Sequence, residues 1–392
     1  MIIALSGVGV VGVVGGLGFL TYMRTTPVPP KATAVPSKAT AVPSKTTAVL
    51  PTATPSGPSR LVVDASGSGD YKTIASAILG AKPGDTIVLR PGTYKESLRI
   101  NNDVRIVGEG GRSKVIVEGA PGANVFEFTA GSATLTGMTI RIVGTGPAGT
   151  ATGAISVRGG TPVIEDCDLT SSAGAAVFIR GAGANPTIRN STMLDSRDFG
   201  VFVYEQGQGT IERCVISGNT NPGVGIRTGG NAYGGVGIRT GGNPTVRDCE
   251  IRDGQGAGVA VDEQGLGTIE RCVISGNAYS GVQIRTGGNP TVRDCRIRDG
   301  QGAGVAVDEQ GQGTIERCVI SGNANAGAQI SKGGNPAVRD CEIRDGKQAG
   351  VYVYDQGQGT FTGNTLTGNP SGAWVIRADA GRVTRTGNRP NA

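Results

Sequence analysis

Beyond about residue 150 the chain shows short bursts of strict alternation between apolar and other residues. Val259 and Val261, Val282 and Ile284, Val305 and Val307, and Val351 and Val353 each enclose one position of the opposite kind or facing. A period of two predicts β-strands, since the apolar stripe of a helix would recur every 3.6 residues. Gly- and Asn-rich stretches separate the bursts and read as turns. Cys249, Cys272, Cys295, Cys318 and Cys341 mark a unit of about 23 residues, and the same column runs upstream through Cys214, Ser191 and Cys167 and downstream to Asn364. Short strands at that period predict an all-β parallel β-helix, in which each turn lies on the one before at a strand spacing of about 4.8 Å.

Stacking turns sequence columns into side-chain ladders. Ile251, Ile274, Ile297, Ile320, Ile343 and Leu366 form one interior ladder, and Val246, Ile269, Val292 and Ile315 another. The cysteines stand two positions before the first ladder, so alternation turns them inward as small buried hydrophobes. Stacked neighbours hold their Cβ atoms about 4.8 Å apart, wider than a disulfide accepts, which predicts free thiols at Cys167, Cys214, Cys249, Cys272, Cys295, Cys318 and Cys341. A straight column also lacks the convergent ligands of a metal site, so neither metal nor cofactor is expected. Two further columns alternate in sign: Arg247, Glu270, Arg293, Glu316, Arg339, and Asp248, Arg271, Asp294, Arg317, Asp340. Opposite charges on adjacent strands favour one register, and these residues are read as structural. The interval from Cys214 to Cys249 exceeds one unit, and GVGIRTGG occurs at both Gly223 and Gly235. Residues that cannot stack predict a surface loop within 221–233, read as a duplication before it is read as functional.

The pattern changes before residue 61. Residues 1–23, MIIALSGVGVVGVVGGLGFLTYM, are apolar over a length that spans a bilayer. With no charged start and no clear cleavage site, the run is read as a retained transmembrane anchor ahead of a cleaved signal. Residues 24–60 repeat Lys, Ala, Thr, Val, Pro and Ser, bury no core and form a disordered, extended spacer. That stalk-like composition favours an extracytoplasmic array on a single-pass anchor, while Arg24 and Lys31 just after the anchor pull the other way. Residues 61–100 are assigned to an N-terminal cap and first strands, residues 101–385 to the repeats and residues 386–392 to a disordered tail.

Composition narrows the chemistry. The chain has 68 Gly in 392 residues, which fits many turns in an ordered fold. Its formal charge of +6 comes almost wholly from Arg24, Lys31, Lys38, Lys45 and Arg60, which no acid precedes or interrupts. The near-neutral repeats offer no footprint for nucleic acid. With 0 His, histidine bases, histidine triads and most zinc sites are excluded.

SGVQIRTGGNPTVRDCRIRDG, GVFVYEQGQGTIE and GVYVYDQGQGT resemble the right-handed β-helix repeats of the carbohydrate-binding and sugar-hydrolase type, as in β-helix F-box proteins and their bacterial relatives. The resemblance is strongest from about Gly160 to Gly368. GSGDYKTIASAILGAKPGDTIVLRPGTYKESLRI resembles the entry segment of pectinesterases and other pectate-lyase-like proteins, where a short helix, here about Thr73 to Ala81, covers the open end of the coil. The resemblance implies a single right-handed three-sheet solenoid used for carbohydrate or protein recognition. No F-box or zinc-finger segment accompanies the repeats, so a ubiquitin-ligase role does not carry over. The histidine motifs of polygalacturonases and pectate lyases are absent, as is the Asp-aromatic-aliphatic-aromatic-Gly site of pectinesterases. RDFG at Arg197 is not that site, and without its companions it is not a kinase motif.

One column carries the candidate chemistry. Glu205, Glu263, Glu309 and Asp355 share a position, with Tyr204, Asp262, Asp308 and Tyr354 before them, and they recur every second rung. Two rungs put Glu263 and Glu309 about 10 Å apart, near the upper limit for an inverting carboxylate pair. A catalytic pair must also differ in protonation, and repeated surroundings give no reason for that. The acid and following Gln are read first as strand-end residues whose side chains bond the backbone of a tight Gly-x-Gly turn. The other reading is an outward ligand strip in which Tyr204 and Tyr354 flank the acids and Arg285, a surface suited to sugars. Trp374 is expected outward on the same face, where it extends the strip or covers the last rung. No catalytic residue is assigned. Three functions compete: a membrane-tethered, non-enzymatic module binding a polysaccharide or an extended protein; a polysaccharide lyase, hydrolase or epimerase; and a structural or sensor domain of a longer signalling protein.

Overall fold

The structure is a computed structural model that describes residues 57–144, 152–220 and 235–390. The expected anchor at 1–23, nearly all of the spacer and the loop expected within 221–233 lie outside the described residues. Among the described residues no helix is long and apolar enough to cross a membrane.

Each turn of the coil contributes one strand to each of three parallel sheets, of 14, 12 and 12 strands. A representative turn runs Thr245–Arg247 in the first sheet, Glu250–Arg252 in the second and Val259–Val261 in the third, before Thr268–Glu270 rejoins the first. In the first two sheets only the middle residue of each three-residue strand points inward, whereas Val–x–Val strands of the third sheet send two inward. Pairing keeps the same columns from turn to turn: Val246 faces Ile269, Ile269 faces Val292, and Val292 faces Ile315. The long Cys214–Cys249 interval leaves this register intact, because Glu212 still pairs with Arg247. The additional residues therefore enter between Thr220 and Gly235, at the corner from the second sheet to the third.

All seven cysteines are free and buried. Each thiol points along the coil towards main-chain carbonyls; Cys272 Sγ lies 3.3 Å from Glu270 O and 3.6 Å from Val246 O. The two members of the column that are not cysteine make the same contacts with harder atoms. Ser191 donates to Arg189 O at 2.8 Å, and Asn364 accepts from Cys341 N at 2.9 Å while donating to Val338 O at 2.9 Å. Burial pushes the Cys167 thiol up to about 12.

A second ladder was not visible as such in the repeat. Asn219, Asn277, Asn323 and Asn369 occupy the corner after the second sheet, where backbone groups leave the sheet ladders. Asn277 accepts from Gly254 N at 3.1 Å and donates to Ile251 O at 3.4 Å, and Asn323 does the same for Gly300 and Ile297 two rungs on. Each amide thus satisfies a buried donor and acceptor that would otherwise be orphaned. On the surface, the sign-alternating columns pair across rungs, with Arg271 bidentate to Asp248 at 2.8 and 3.0 Å and Arg317 to Asp294 at 2.8 and 3.1 Å.

The ends differ. At the start, helix Ile74–Gly80 is N-capped by Thr73 and lays Ile74 and Ala77 on the first turn, while Glu96 accepts from Ile74 N and Ala75 N at 2.8 and 2.9 Å. Arg60, expected in the spacer, already opens the first strand, Arg60–Val63. At the other end two expectations are corrected. Trp374 pairs with the inward Val351 and so turns towards the core, packing edge-on against buried Phe361 with centroids 5.4 Å apart. Register, not local alternation, sets its side. The chain also stays on the coil beyond residue 386: strand Val383–Thr386 is followed by buried Asn388, and Trp374 Nε1 donates to Pro390 O at 2.9 Å.

Interior and thiol columns should respond differently to truncation. Ile297→Ala leaves a cavity in a ladder that stacks on both sides and should cost about 2–5 kcal/mol in urea unfolding. Cys295→Ser should cost about 1 kcal/mol or less, because its hydroxyl reaches Arg293 O as Ser191 reaches Arg189 O. Equal losses would mean that the thiol column is packed no differently from the aliphatic one.

Candidate functional site

The outer face of the third sheet collects the side chains that the Val–x–Val pattern turns outward. Strand Val201–Tyr204 presents Phe202 and Tyr204, and strand Val351–Val353, with the next residue, presents Tyr352 and Tyr354. Between them the position after each strand reads Arg239, Asp262, Arg285, Asp308 and Ser331, one per rung.

The acid–Gln pairs follow directly, and they are the turn. Glu263 and Gln264 both take positive φ, 50° and 59°, and Gly265 N donates back to Asp262 O at 2.8 Å. Glu309–Gln310, Glu205–Gln206 and Asp355–Gln356 repeat the geometry. Two successive left-handed residues closed by that bond make a type I′ turn, for which Asn and Gly are the usual occupants. In the rungs between, the second place is indeed Gly: Gly241, Gly287 and Gly333. The expectation that these side chains bond their own turn is corrected, since they reach to neighbouring rungs. Glu263 accepts from Thr240 Oγ1 at 2.9 Å, Glu309 from Thr286 Oγ1 at 3.2 Å, and Gln264 donates to Thr286 O at 3.3 Å.

One guanidinium organises the centre of the strip. Arg285 is buried, with Nε 3.1 Å from Asp308 and Nη2 2.8 Å from Glu309. Arg239 contacts buried Asp262 at 3.1 Å. Tyr204 and Glu205 belong to a separate group around Arg180, which lies 2.9 Å from Glu205 and over the Tyr204 ring. Tyr354 OH accepts from Gln329 Nε2 at 3.0 Å, and Asp355 stands exposed beyond it. The strip thus holds Asp308 and Glu309 on Arg285, Asp262 on Arg239 and Glu263 on Thr240, and leaves the two tyrosines at its ends.

Residues not singled out from the sequence complete those ends. Phe199, Phe202 and Tyr204 stack in series at 4.7 and 4.8 Å, with Phe178 edge-on to Phe202 at 5.9 Å. Phe199 lies over Gly237, where any side chain would collide with its ring. Tyr352 and Tyr354 stack at 4.7 Å. Strand alternation in GVFVY and GVYVY is the signal that marks Phe202 and Tyr352 as outward. No cluster of three or more metal-ligating carboxylates or thiols occurs among the described residues.

The sequence matches the family described as right-handed beta helix region over residues 124–233 and 234–389. The chain belongs to this right-handed β-helix family. Over 65 residues the β-helix chain is 38% identical to F-box protein dre-1 of Caenorhabditis elegans, a match covering 16% of the chain and 7% of that protein. Over 93 residues it is 32% identical to Pectinesterase 3 of Citrus sinensis, covering 22% of the chain and 15% of the enzyme. It therefore spans only a small part of either relative. Among solved structures, it resembles the mannuronan C-5 epimerase AlgE6 A-module of Azotobacter vinelandii with TM-score 0.62 at 18% identity, covering 80% of the chain and 93% of the module. An alginate lyase from Paenibacillus sp. follows with TM-score 0.51 at 16% identity, covering 66% and 94%. The catalytic domain of a GH87 α-1,3-glucanase in complex with tetrasaccharides gives TM-score 0.55 at 13% identity, covering 87% and 70%. These likenesses establish the shared fold.

Within the β-helix, carboxyl groups of one rung are shifted in different directions. Burial raises Asp262 and Asp308 above the ordinary aspartate value. Burial would also raise Glu309, but the hydrogen bond and charge of Arg285 outweigh it and hold this carboxylate low. The repeated column is therefore unequal within one turn, between Asp308 and its neighbour.

Asp198 marks the edge of the aromatic end. Its Oδ1 is buried without a hydrogen-bond partner, and burial pushes the group up to about 6 against the opposing charge of Arg239. A folded value above the unfolded one, about 3.9, contributes stability that is complete below the unfolded value and lost as pH rises through the folded value. Asp198→Asn should therefore melt higher than the parent above about pH 6, and the gap should close as pH falls to about 4. A gap independent of pH would show that Asp198 titrates like an exposed aspartate.

Proposed function

We propose that this chain is a membrane-tethered, non-enzymatic recognition module whose third sheet binds an extended polysaccharide along its outer face. One observation carries the reading: a straight ladder from Arg239 to Asp308 runs between the Phe202–Tyr204 and Tyr352–Tyr354 clusters, which lie six strand spacings, or about 29 Å, apart. Aromatic surfaces pack against the C–H faces of sugar rings, and fixed carboxylates and amides exchange hydrogen bonds with hydroxyls. A long, straight face suits a polymer better than a small molecule. The names of three fold neighbours, an epimerase of mannuronan, an alginate lyase and an α-1,3-glucanase bound to tetrasaccharides, support a carbohydrate reading by analogy of fold alone.

Asp308 and Glu309 favour a second reading, a polysaccharide-active enzyme. Two neighbouring carboxyl groups against Arg285, one raised by burial and the other held low by the guanidinium, are driven apart as acid–base chemistry on a sugar requires.

Calorimetric titration of the full chain with a panel of hexasaccharides separates these readings. Arg285→Ala and Tyr354→Ala should each weaken binding roughly tenfold or more, about 1.4 kcal/mol, with no new reducing or unsaturated ends. Turnover abolished in Glu309→Gln would transfer the site to the enzymatic reading. Absence of binding and turnover across the panel would sink both.

The tether rests on the apolar run at 1–23 and the spacer at 24–60, with the array outside the cell. Because all seven native thiols are buried, a Ser44→Cys probe in the spacer supplies the reactive thiol. An impermeant thiol reagent should label it in intact cells. Labelling only after permeabilisation would place the array in the cytoplasm.

A further inference from the structure

The outer face of the third sheet repeats every second rung. Its middle column reads Ala260, Gln283, Ala306 and Gln329 on strands paired without slip. Beside it, Arg239, Asp262, Arg285 and Asp308 alternate with the same period. Ala260 and Ala306 are recessed, with 7% and 9% exposure, between the longer glutamines. The face is thus corrugated, and the same group returns after two strand spacings, about 9.6 Å.

Resting on the polysaccharide reading above, we infer that this face takes a neutral, β-1,4-linked pyranose chain. When the sugars are gluco- or manno-configured, both linking bonds of such a chain are equatorial, so successive sugars are turned over by half a rotation and the polymer runs as a straight, flat ribbon. Every second sugar then offers the same edge to the same side, at a spacing close to two rungs. Each recess at Ala260 or Ala306 receives one sugar edge, and the Gln283 and Gln329 amides meet the hydroxyls of the sugars between. Linkages that coil the chain lose this register within a few units.

Charge selects neutrality. Arg239 and Arg285 are engaged by Asp262, Asp308 and Glu309, and Glu263 adds a further carboxylate, so acids outnumber Arg239, Arg285 and the neighbouring Lys332. With both guanidiniums already engaged and one carboxylate in excess, the face offers a polyuronate no free cation pair and a small net repulsion.

The test uses the full chain and calorimetric titration with cellohexaose, mannohexaose and chitohexaose, set against laminarihexaose, maltohexaose and a hexamer of mannuronate. At least one of the first three should bind roughly tenfold or more tighter than all of the last three, and its affinity should rise in two-sugar steps from disaccharide to hexasaccharide. Ala306→Trp, which fills one recess, should weaken that binding by a similar factor. Gln283→Ala, which leaves folding untouched at an outward position, should weaken it roughly threefold or more. Melting temperatures identify any variant that fails to fold. Equal or tighter binding of a coiled or uronate hexamer overturns the inference and leaves the polysaccharide reading standing. Tight binding indifferent to both substitutions also overturns it, because the sugar then lies elsewhere. No binding by any hexamer overturns both.

Discussion

Backbone hydrogen bonds between successive turns run along the coil and hold each three-residue strand opposite the equivalent strand of the next turn. A slip of one residue would turn Ile269 outward and Thr268 inward, so register is fixed by the core as well as by the ladder. The turns from Cys249 to Cys341 then offer a nearly constant inward set: a β-branched residue from each of the first two sheets, two apolar residues from the third, and a thiol at the corner. This is why the cysteines line up and stay reduced, and why surface charges alternate in sign between rungs. It is also why register survives the long Cys214–Cys249 interval, with Glu212 still opposite Arg247.

The same constraint shapes the candidate site. A protein built of near-identical turns presents function as a strip, since any outward residue is copied at the next repeat. What breaks the copying carries the information. Alternate rungs give Arg and Asp in place of a uniform column, and Asp308 and Glu309, adjacent in sequence, are driven in opposite directions by burial and by Arg285. The aromatic clusters appear only at the two ends, where Phe202 and Tyr352 replace the Ala and Gln of the centre.

Interior columns were legible because alternation and a constant period act on every turn alike. Cys272 and Ile274 needed only those two rules. Trp374 was misread because the last turn has no following rung, and its side is set by pairing with Val351. The corner asparagines escaped notice because Asn in a turn-rich stretch looks like ordinary turn chemistry. Their task, bridging Gly254 N and Ile251 O at Asn277, depends on contacts between rungs. Asp198 escaped for a related reason: its burial comes from neighbours on other turns, and RDFG alone carries no sign of it.

The left-handed glutamines bear on whether the strip is incidental. A type I′ turn places no demand on these side chains, and the alternate rungs meet it with Gly241, Gly287 and Gly333. Holding Gln206, Gln264, Gln310 and Gln356 in that conformation costs each about 1–2 kcal/mol relative to a residue free of the Cβ clash. Bonds such as Gln310 to Lys332 O at 3.4 Å are long and exposed, and offset only a part. A solenoid that needed only to close its corners would be more stable with glycine throughout. Single left-handed residues such as Asp248, Asp253 and Arg271 close the other corners too. Successive non-glycine pairs in that conformation occur, among the described residues, only beside the face that carries Arg285, the paired carboxylates and the aromatic ends. That coincidence is what a surface kept for its side chains, and not for its turns, would produce.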